Sequence, residues 1–287
     1  MSFLLYAWIS TFAYGFLAVI GKLTSKHSIS NPWLFNFVWT FFALLLAIPL
    51  AFIYKVGLPK EWFFLSLAAL CNAIWLILYA FSVYRLDVSV LSPLYNFRII
   101  FAVILGGIFL HEQLLPFQIV LFLIIFVAGM FVSLDEKFQI MSFFSSSVLT
   151  LIAGMFFLAL SNVLTNITLK YNGRWETTLG LMFLTVTFLL TTIPLFLKDV
   201  RKVSAKQISP LFLMALMYLI GTITAFEAFK VNVSLSSIII SLPTSLLLVF
   251  LFAVFKPQLL EKHTVKVYAV RFIACIIMIA AALKLAG

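Results

Sequence analysis

Thr40 to Leu50 reads TFFALLLAIPL, and Thr185 to Leu195 reads TVTFLLTTIPL. At an offset of 145 the Thr, two Leu, Ile, Pro and the final Leu coincide. A proline inside an apolar span gives up a backbone hydrogen bond. Pro49 and Pro194 at matching places therefore mark duplication rather than a shared leucine content. Downstream, Ala80-Phe81 aligns with Ala228-Phe229 and Ser89 with Ser237 at an offset of 148, and Glu112 with Glu261 at 149. Small insertions leave such a drift. The chain reads as two related halves, 1–140 and 141–287, forming a single membrane-embedded domain.

Around these stretches lie ten apolar runs: 3–23, 34–54, 62–84, 88–110, 116–134, 147–169, 178–197, 210–230, 233–255 and 267–285. Each is long enough to cross a hydrocarbon core of about 30 Å as a helix. None shows the ten-residue alternation of a barrel strand. The composition agrees: of 287 residues, 64% are hydrophobic and only 10% charged, against about 25% charged in soluble domains. The 33 Phe suit a surface solvated by acyl chains. The fold class expected is all-α, an integral membrane protein of ten transmembrane helices. Five spans per half, an odd number, turn the second half upside down. The expected architecture is thus two inverted five-helix repeats around a central cavity, a transporter device.

The formal charge of +10 does not point to nucleic acid, because the basic residues sit in short connectors without a basic face. They suit topology signals and contact with anionic lipid headgroups. Cys71 and Cys275 lie inside apolar runs, away from any disulfide or zinc pattern. The N-terminal run lacks a basic leader and reads as the first span. His111-Glu112 lacks the second His of a zinc-protease helix, since Leu115 stands there. No nucleophile triad, phosphate loop or metal cluster appears, so neither an enzyme nor an ATP-driven pump is expected, and no cofactor or metal.

Tyr79-Ala-Phe-Ser-Val-Tyr-Arg-Leu-Asp-Val-Ser-Val-Leu-Ser-Pro93 is followed by a span ending Phe-Leu-His-Glu112. The second half has Ala228-Phe229, Ser236-Ser237, Pro243 and Leu-Leu-Glu261. With the five-plus-five layout, these stretches resemble the drug/metabolite transporter superfamily in its ten-helix EamA-type form. Its members have a hairpin of small residues, a proline early in the fourth helix and a terminal Gly-Glu. Here His111 and Leu260 replace that Gly. The resemblance implies a basket of helices around a cavity that opens alternately to either side.

Arg98 is the most informative residue. It lies about eleven residues from each end of span 88–110, roughly 16 Å from either interface, too far to snorkel easily. A charge at the bilayer centre costs about 2.5–3.5 kcal/mol on insertion scales. Arg98 must therefore face a wet cavity or a partner, either as an anion contact for substrate or as a structural tie to backbone carbonyls or Glu227. Pro93 and Pro243 are candidate helix discontinuities, and Asn96 would extend the polar surface near Arg98. Tyr6, Ser10 and Tyr14 share a face of the first helix, Trp75 and Tyr79 of the third, and Tyr218 and Thr222 of the eighth. Asn72, Asn162 and Asn166 add polar positions within spans. The expected substrate-binding set is Arg98, Tyr14, Ser10, Trp75, Tyr79, Asn96, Asn162 and Tyr218, with interhelical packing as each residue's alternative role.

No Asp or Glu sits near a midplane, which tilts the substrate towards anionic, zwitterionic or neutral metabolites. The function expected is secondary transport of small organic metabolites, amino acids or organic anions, by alternating access. The alternatives are a multidrug exporter and a non-transporting receptor or scaffold. Expected partners are a small-molecule substrate and membrane lipid, with no nucleic acid, in a monomer or homodimer. The expected location is the cell membrane, as a multi-pass protein of a bacterial inner membrane. Apart from Arg98, six Lys and Arg lie on the side of the termini and twelve on the other. The positive-inside rule then puts both termini outside, whereas the family resemblance implies the cytoplasm.

Overall fold

The computed structural model describes residues 3–95, 97–110, 116–132, 144–201, 203–231 and 264–286, with single positions 236, 239, 240, 244 and 248. Among them every regular element is a helix. The helices are α1 (Phe3–His27), α2 (Pro32–Ile53), α3 (Phe63–Arg85), α4 (Val88–Leu94), α5 (Phe97–Leu110), α6 (Pro116–Val132), α7 (Ser146–Leu169), α8 (Arg174–Leu190), α9 (Leu197–Val200), α10 (Ala205–Phe229) and α11 (Val265–Ala286). Five of them, α1, α2, α3, α7 and α10, are long and apolar enough to cross a membrane. The chain is a multi-pass membrane protein.

Local chemistry sets the ends. Asn31 caps α2, its Oδ1 accepting from the Trp33 amide at 2.9 Å, and Pro32 takes the first helical position. Ser204 and Gln207 form a capping box on α10. The hairpin between α3 and α4 is two residues long. Lys22 of α1 closes it, Nζ donating to the carbonyls of Val83 at 2.9 Å and Leu86 at 2.7 Å. A cation there meets the negative end of α3.

Two spans depart from the sequence reading. Span 88–110 is broken: α4 ends at Leu94, Tyr95 lies in a turn, and α5 starts at Phe97. Pro93 has no amide hydrogen to carry the helical ladder through that point. Arg98 consequently stands in the first turn of α5, not within a continuous helix. Span 178–197 is displaced: α8 starts at Arg174 and stops at Leu190. Thr191 and Thr192 turn their hydroxyls onto the carbonyls of Phe188 and Leu189, both at 2.7 Å, competing with the helix. Pro194 follows in a 3-10 turn, whereas Pro49, its partner in the sequence, lies inside α2 near that helix's end. Span 233–255, His111, Glu112, Ser237, Pro243, Leu260 and Glu261 lie outside the described residues.

Packing crosses between the halves. α1 lies along α10, and α3 lies along α7. α2 packs on α10 and on α8, α3 also meets α8, and α6 meets α11. Each long contact is made close by a glycine under an aromatic ring. A Cβ on Gly221 of α10 would come within 2.8 Å of the Tyr14 ring, and one on Gly154 of α7 within 2.9 Å of Trp75. The connectors are clasped as well. Asn172 Oδ1 accepts from the amides of Lys60 at 2.7 Å and Glu61 at 3.0 Å. At the other end of α2, Asn31 Nδ2 donates to Asp199 Oδ2 at 2.8 Å. The core joins Trp39, Leu76, Tyr79 and Leu91 to Met155, Leu211 and Met214, while Phe12, Phe16, Phe41 and Phe183 stay exposed on outer faces.

Candidate functional site

The faces that meet between the two halves do not close completely. Asn72, Trp75, Leu76 and Tyr79 recur along one face of α3, and Leu158, Ser161, Asn162 and Thr165 along one face of α7. Tyr218, Thr222, Ala225, Phe226 and Phe229 do the same on α10. With Tyr14 and Leu17 of α1, Trp39 of α2, Tyr95, Arg98, Leu181 and Ile240, they enclose a cavity of about 90 Å3. One water needs roughly 10–15 Å3 on this measure, so the space holds several waters or one small solute. It extends along α10 to Phe229, in the helix's last turn. Towards the other end of the bundle, Phe35, Tyr79 and Met214 converge on Gly21 and fill the interior.

Hydrogen bonds fix the lining. Asn72 Nδ2 reaches Thr185 Oγ1 and the Tyr218 hydroxyl, each at 3.2 Å, tying α3 to α8 and α10. The hydroxyls of Tyr14 and Thr222 pair at 3.2 Å across α1 and α10. Ser161 donates to the Ala68 carbonyl at 2.9 Å, away from the cavity. The aromatic rings support one another. Trp39 meets Tyr218 edge-on at 5.0 Å, and Trp75 lies 5.3 Å from Tyr79 and 6.0 Å from Tyr95. Such contacts hold the rings in place at modest gain per pair.

Arg98 is the one charged residue among the described lining residues. It is 6% exposed and lies within electrostatic reach of Tyr14 and Tyr95. Its backbone lies in the first turn of α5. Glu227 is not its counterion. Glu227 Oε1 accepts from Arg174 at 2.8 Å and from Lys230 at 3.3 Å, at the end of α10. Three further lining groups, Trp39 Nε1, the Tyr79 hydroxyl and Asn162 Nδ2, are buried with no hydrogen-bond partner among the described residues.

Residues 1–134 match the model of the EamA-like transporter family, which is part of the drug/metabolite transporter superfamily. The family is one of membrane transporters. No curated protein matches the chain. A solved protein crystal structure superposes with a TM-score of 0.71 at 12% identity, covering 99% of this chain and 97% of the other; at that identity the likeness is one of fold.

Of the residues expected at the site, Arg98, Tyr14, Trp75, Tyr79, Asn162 and Tyr218 line this cavity together. Ser10 does not. It is fully buried between helices, donating to the Gly221 carbonyl at 2.9 Å, because the small hydroxyl fits where α1 and α10 approach most closely. Asn166 lies outside the lining too, its Nδ2 donating to the Phe229 carbonyl at 3.0 Å. Asn96 lies outside the described residues. Sequence reasoning missed Trp39, Tyr95, Ser161 and Thr165. A signal existed for Trp39: Asn36, Trp39, Thr40, Ala43 and Ala47 give α2 one small-and-polar stripe at helical spacing, and all are buried.

Proposed function

We propose that the protein is a secondary transporter that carries small organic metabolites, anionic or zwitterionic, across a cell membrane by alternating access. Arg98 anchors the charged group of the solute, and Tyr14, Trp75, Tyr79, Asn162 and Tyr218 form the wall around it. The observation that carries this reading is a buried cation, Arg98, lining a cavity that is walled by α1, α2, α3, α7 and α10. An insertion cost of about 2.5–3.5 kcal/mol for a mid-bilayer charge is hard to explain without a task for it.

Ten spans in two inverted five-helix repeats, 1–140 and 141–287, form the frame of the mechanism. The packing supports this reading. A twofold exchanging the first and sixth spans, and the third and eighth, turns the α1–α10 contact into the α7–α3 contact. The same operation turns α2–α10 into α8–α3, and the Asn31–Asp199 clasp into the Asn172–Glu61 clasp. Halves related in this way trade conformations, which opens the cavity to one side and then the other. In this reading the solute enters from the end of the cavity near Phe229, and Phe35, Tyr79 and Met214, packed around Gly21, close the opposite end. The multidrug-exporter alternative is disfavoured, since a lipophilic cation would meet Arg98 and no acidic group among the described lining residues.

The test is counterflow in proteoliposomes with purified protein, preceded by a thermal-shift screen over organic acids, amino acids, nucleosides and sugar phosphates. A ligand that binds the folded state raises its melting temperature. Arg98→Ala is expected to abolish flux of the stabilising solute while the protein remains folded. Normal flux in that variant removes Arg98 from the site, and a tightly bound ligand that is never carried favours a receptor.

A further inference from the structure

The two ends of the cavity are built by unlike means, given the transporter reading above and its twofold. At the end away from Phe229, Gly21 of α1 sits beneath three side chains. A Cβ there would lie 3.2 Å from Met214 Cε, 3.3 Å from the Tyr79 hydroxyl and 3.6 Å from Phe35 Cζ. Phe35 stands one turn before Trp39 on α2, and Tyr79 one turn after Trp75 on α3, so this plug continues two walls of the cavity. It is not uniformly apolar. The Tyr79 hydroxyl, and Oδ1 of Asn36 next to Phe35, are buried without hydrogen-bond partners among the described residues. Polar groups buried unpaired are costly, and a section wetted in another form of the protein accounts for both.

The next residue after Gly21 ties the same end together. Lys22 is 9% exposed, and its Nζ donates to the carbonyls of Val83 at 2.9 Å and Leu86 at 2.7 Å. The Tyr84 hydroxyl adds a bond to the Ile29 carbonyl across the same seam. Gly21 and Lys22 belong to α1, whereas Tyr79 and the two carbonyls belong to α3 and the hairpin after it. Any parting of α1 from α3 that uncovers the plug must release Lys22.

The twofold carries α1 onto α7 and α3 onto α10. It turns the reach of Lys22 to the end of α3 into a reach from α7 to the end of α10. Such a bond exists: Asn166 Nδ2 donates to the Phe229 carbonyl at 3.0 Å. Phe229 is the sequence match of Phe81, two residues before Val83. The two ties differ in strength. A cation shared by two carbonyls holds the plug end and a neutral amide on one carbonyl holds the other, and charged donors make hydrogen bonds roughly twice as strong. The plug has no equal at the far end either. Tyr79 precedes Ala80-Phe81, and its match before Ala228-Phe229 is Glu227. Phe35 matches Gly180 at the offset of 145 that relates Thr40 to Thr185.

We propose that Lys22 is a gating residue: its ammonium latches α1 to the α3–α4 hairpin and holds the plug end shut, while the weaker Asn166 tie leaves the Phe229 end as the one that opens readily. Release is reversible because Lys22 stands five residues before the end of α1, about 8 Å along its axis, where a lysine stem reaches the interface.

The test is thiol labelling of the full chain in nanodiscs, with both native cysteines replaced, Cys71→Ala and Cys275→Ala. One reporter is added at a time, Asn36→Cys beside the plug or Ala225→Cys in the cavity wall, and is reacted with a small charged methanethiosulfonate. Lys22→Met is expected to speed labelling at position 36 by about tenfold or more and to change position 225 by less than about twofold. Lys22→Arg keeps the cation and is expected to retain the slow rate. Asn166→Leu is expected to act at position 225 alone, by about 2- to 12-fold. If Lys22→Met does not fold, Lys22→Gln takes its place, with a rate at position 36 above that of the native lysine. An unchanged rate at position 36, or a parallel rise at both positions as general loosening would give, overturns the latch. Counterflow in proteoliposomes scores carriage separately. Failure of the labelling pattern with carriage intact removes Lys22 from the gate and leaves the transporter reading standing. The expected pattern with no solute of any class carried supports the latch and counts against the transporter reading alone.

Discussion

Gly221→Ala is the sharpest perturbation of the helix contact that shapes the cavity. A Cβ at this position would lie 2.8 Å from Tyr14 Cε1, 3.0 Å from Cζ and 3.1 Å from Cδ1. Carbon atoms rest at about 3.5–4.0 Å, so the ring must retreat by roughly 0.7 Å. The retreat stretches the 3.2 Å bond from Tyr14 to Thr222 beyond hydrogen-bond range. Overpacking of this kind costs about 1–3 kcal/mol. Replacing glycine within a helix returns about 0.5–1 kcal/mol, leaving a net loss of about 1–2 kcal/mol. In a Tyr14→Ala background the ring is gone, and the same substitution should become stabilising by about 0.5–1 kcal/mol. The coupling energy of the double-mutant cycle is then about 1–3 kcal/mol. Equilibrium unfolding by SDS titration in mixed micelles measures it. A coupling below about 0.5 kcal/mol, within the scatter of independent sites, would refute the contact as the origin of the close approach.

Three further outcomes probe other parts of the frame. Asn172→Ala removes the clasp on Lys60 and Glu61 and should cost about 1–3 kcal/mol, with faster hydrogen exchange at those two amides; unchanged exchange counts against the clasp. Lys22→Met strips two charge-assisted bonds from the end of α3 and should lower stability by about 2 kcal/mol, read by the same SDS titration. Arg174→Gln breaks the pair with Glu227, but both side chains are partly exposed, so the loss should stay below about 1 kcal/mol; a larger loss would mean the pair is shielded from solvent.

Composition and run length determined that this chain lies in a membrane, and the matched stretches around Pro49 and Ala228-Phe229 pointed to two related halves. Helical spacing brought Trp75 with Tyr79, and Tyr218 with Thr222, onto common faces, and burial cost singled out Arg98. Tertiary structure decided the rest. It gave Tyr14 to the cavity and Ser10 to the α10 backbone, assigned Glu227 to Arg174, broke the fourth span before Arg98, and brought Trp39 to the wall. The reason is physical: in lipid, the outside of a helix is as apolar as its packed side, so hydrophobic periodicity does not distinguish the two. Polar residues reveal that a face is inward. Only the approach of the neighbouring helix decides whether that polar group is consumed by a backbone carbonyl or left to meet a solute.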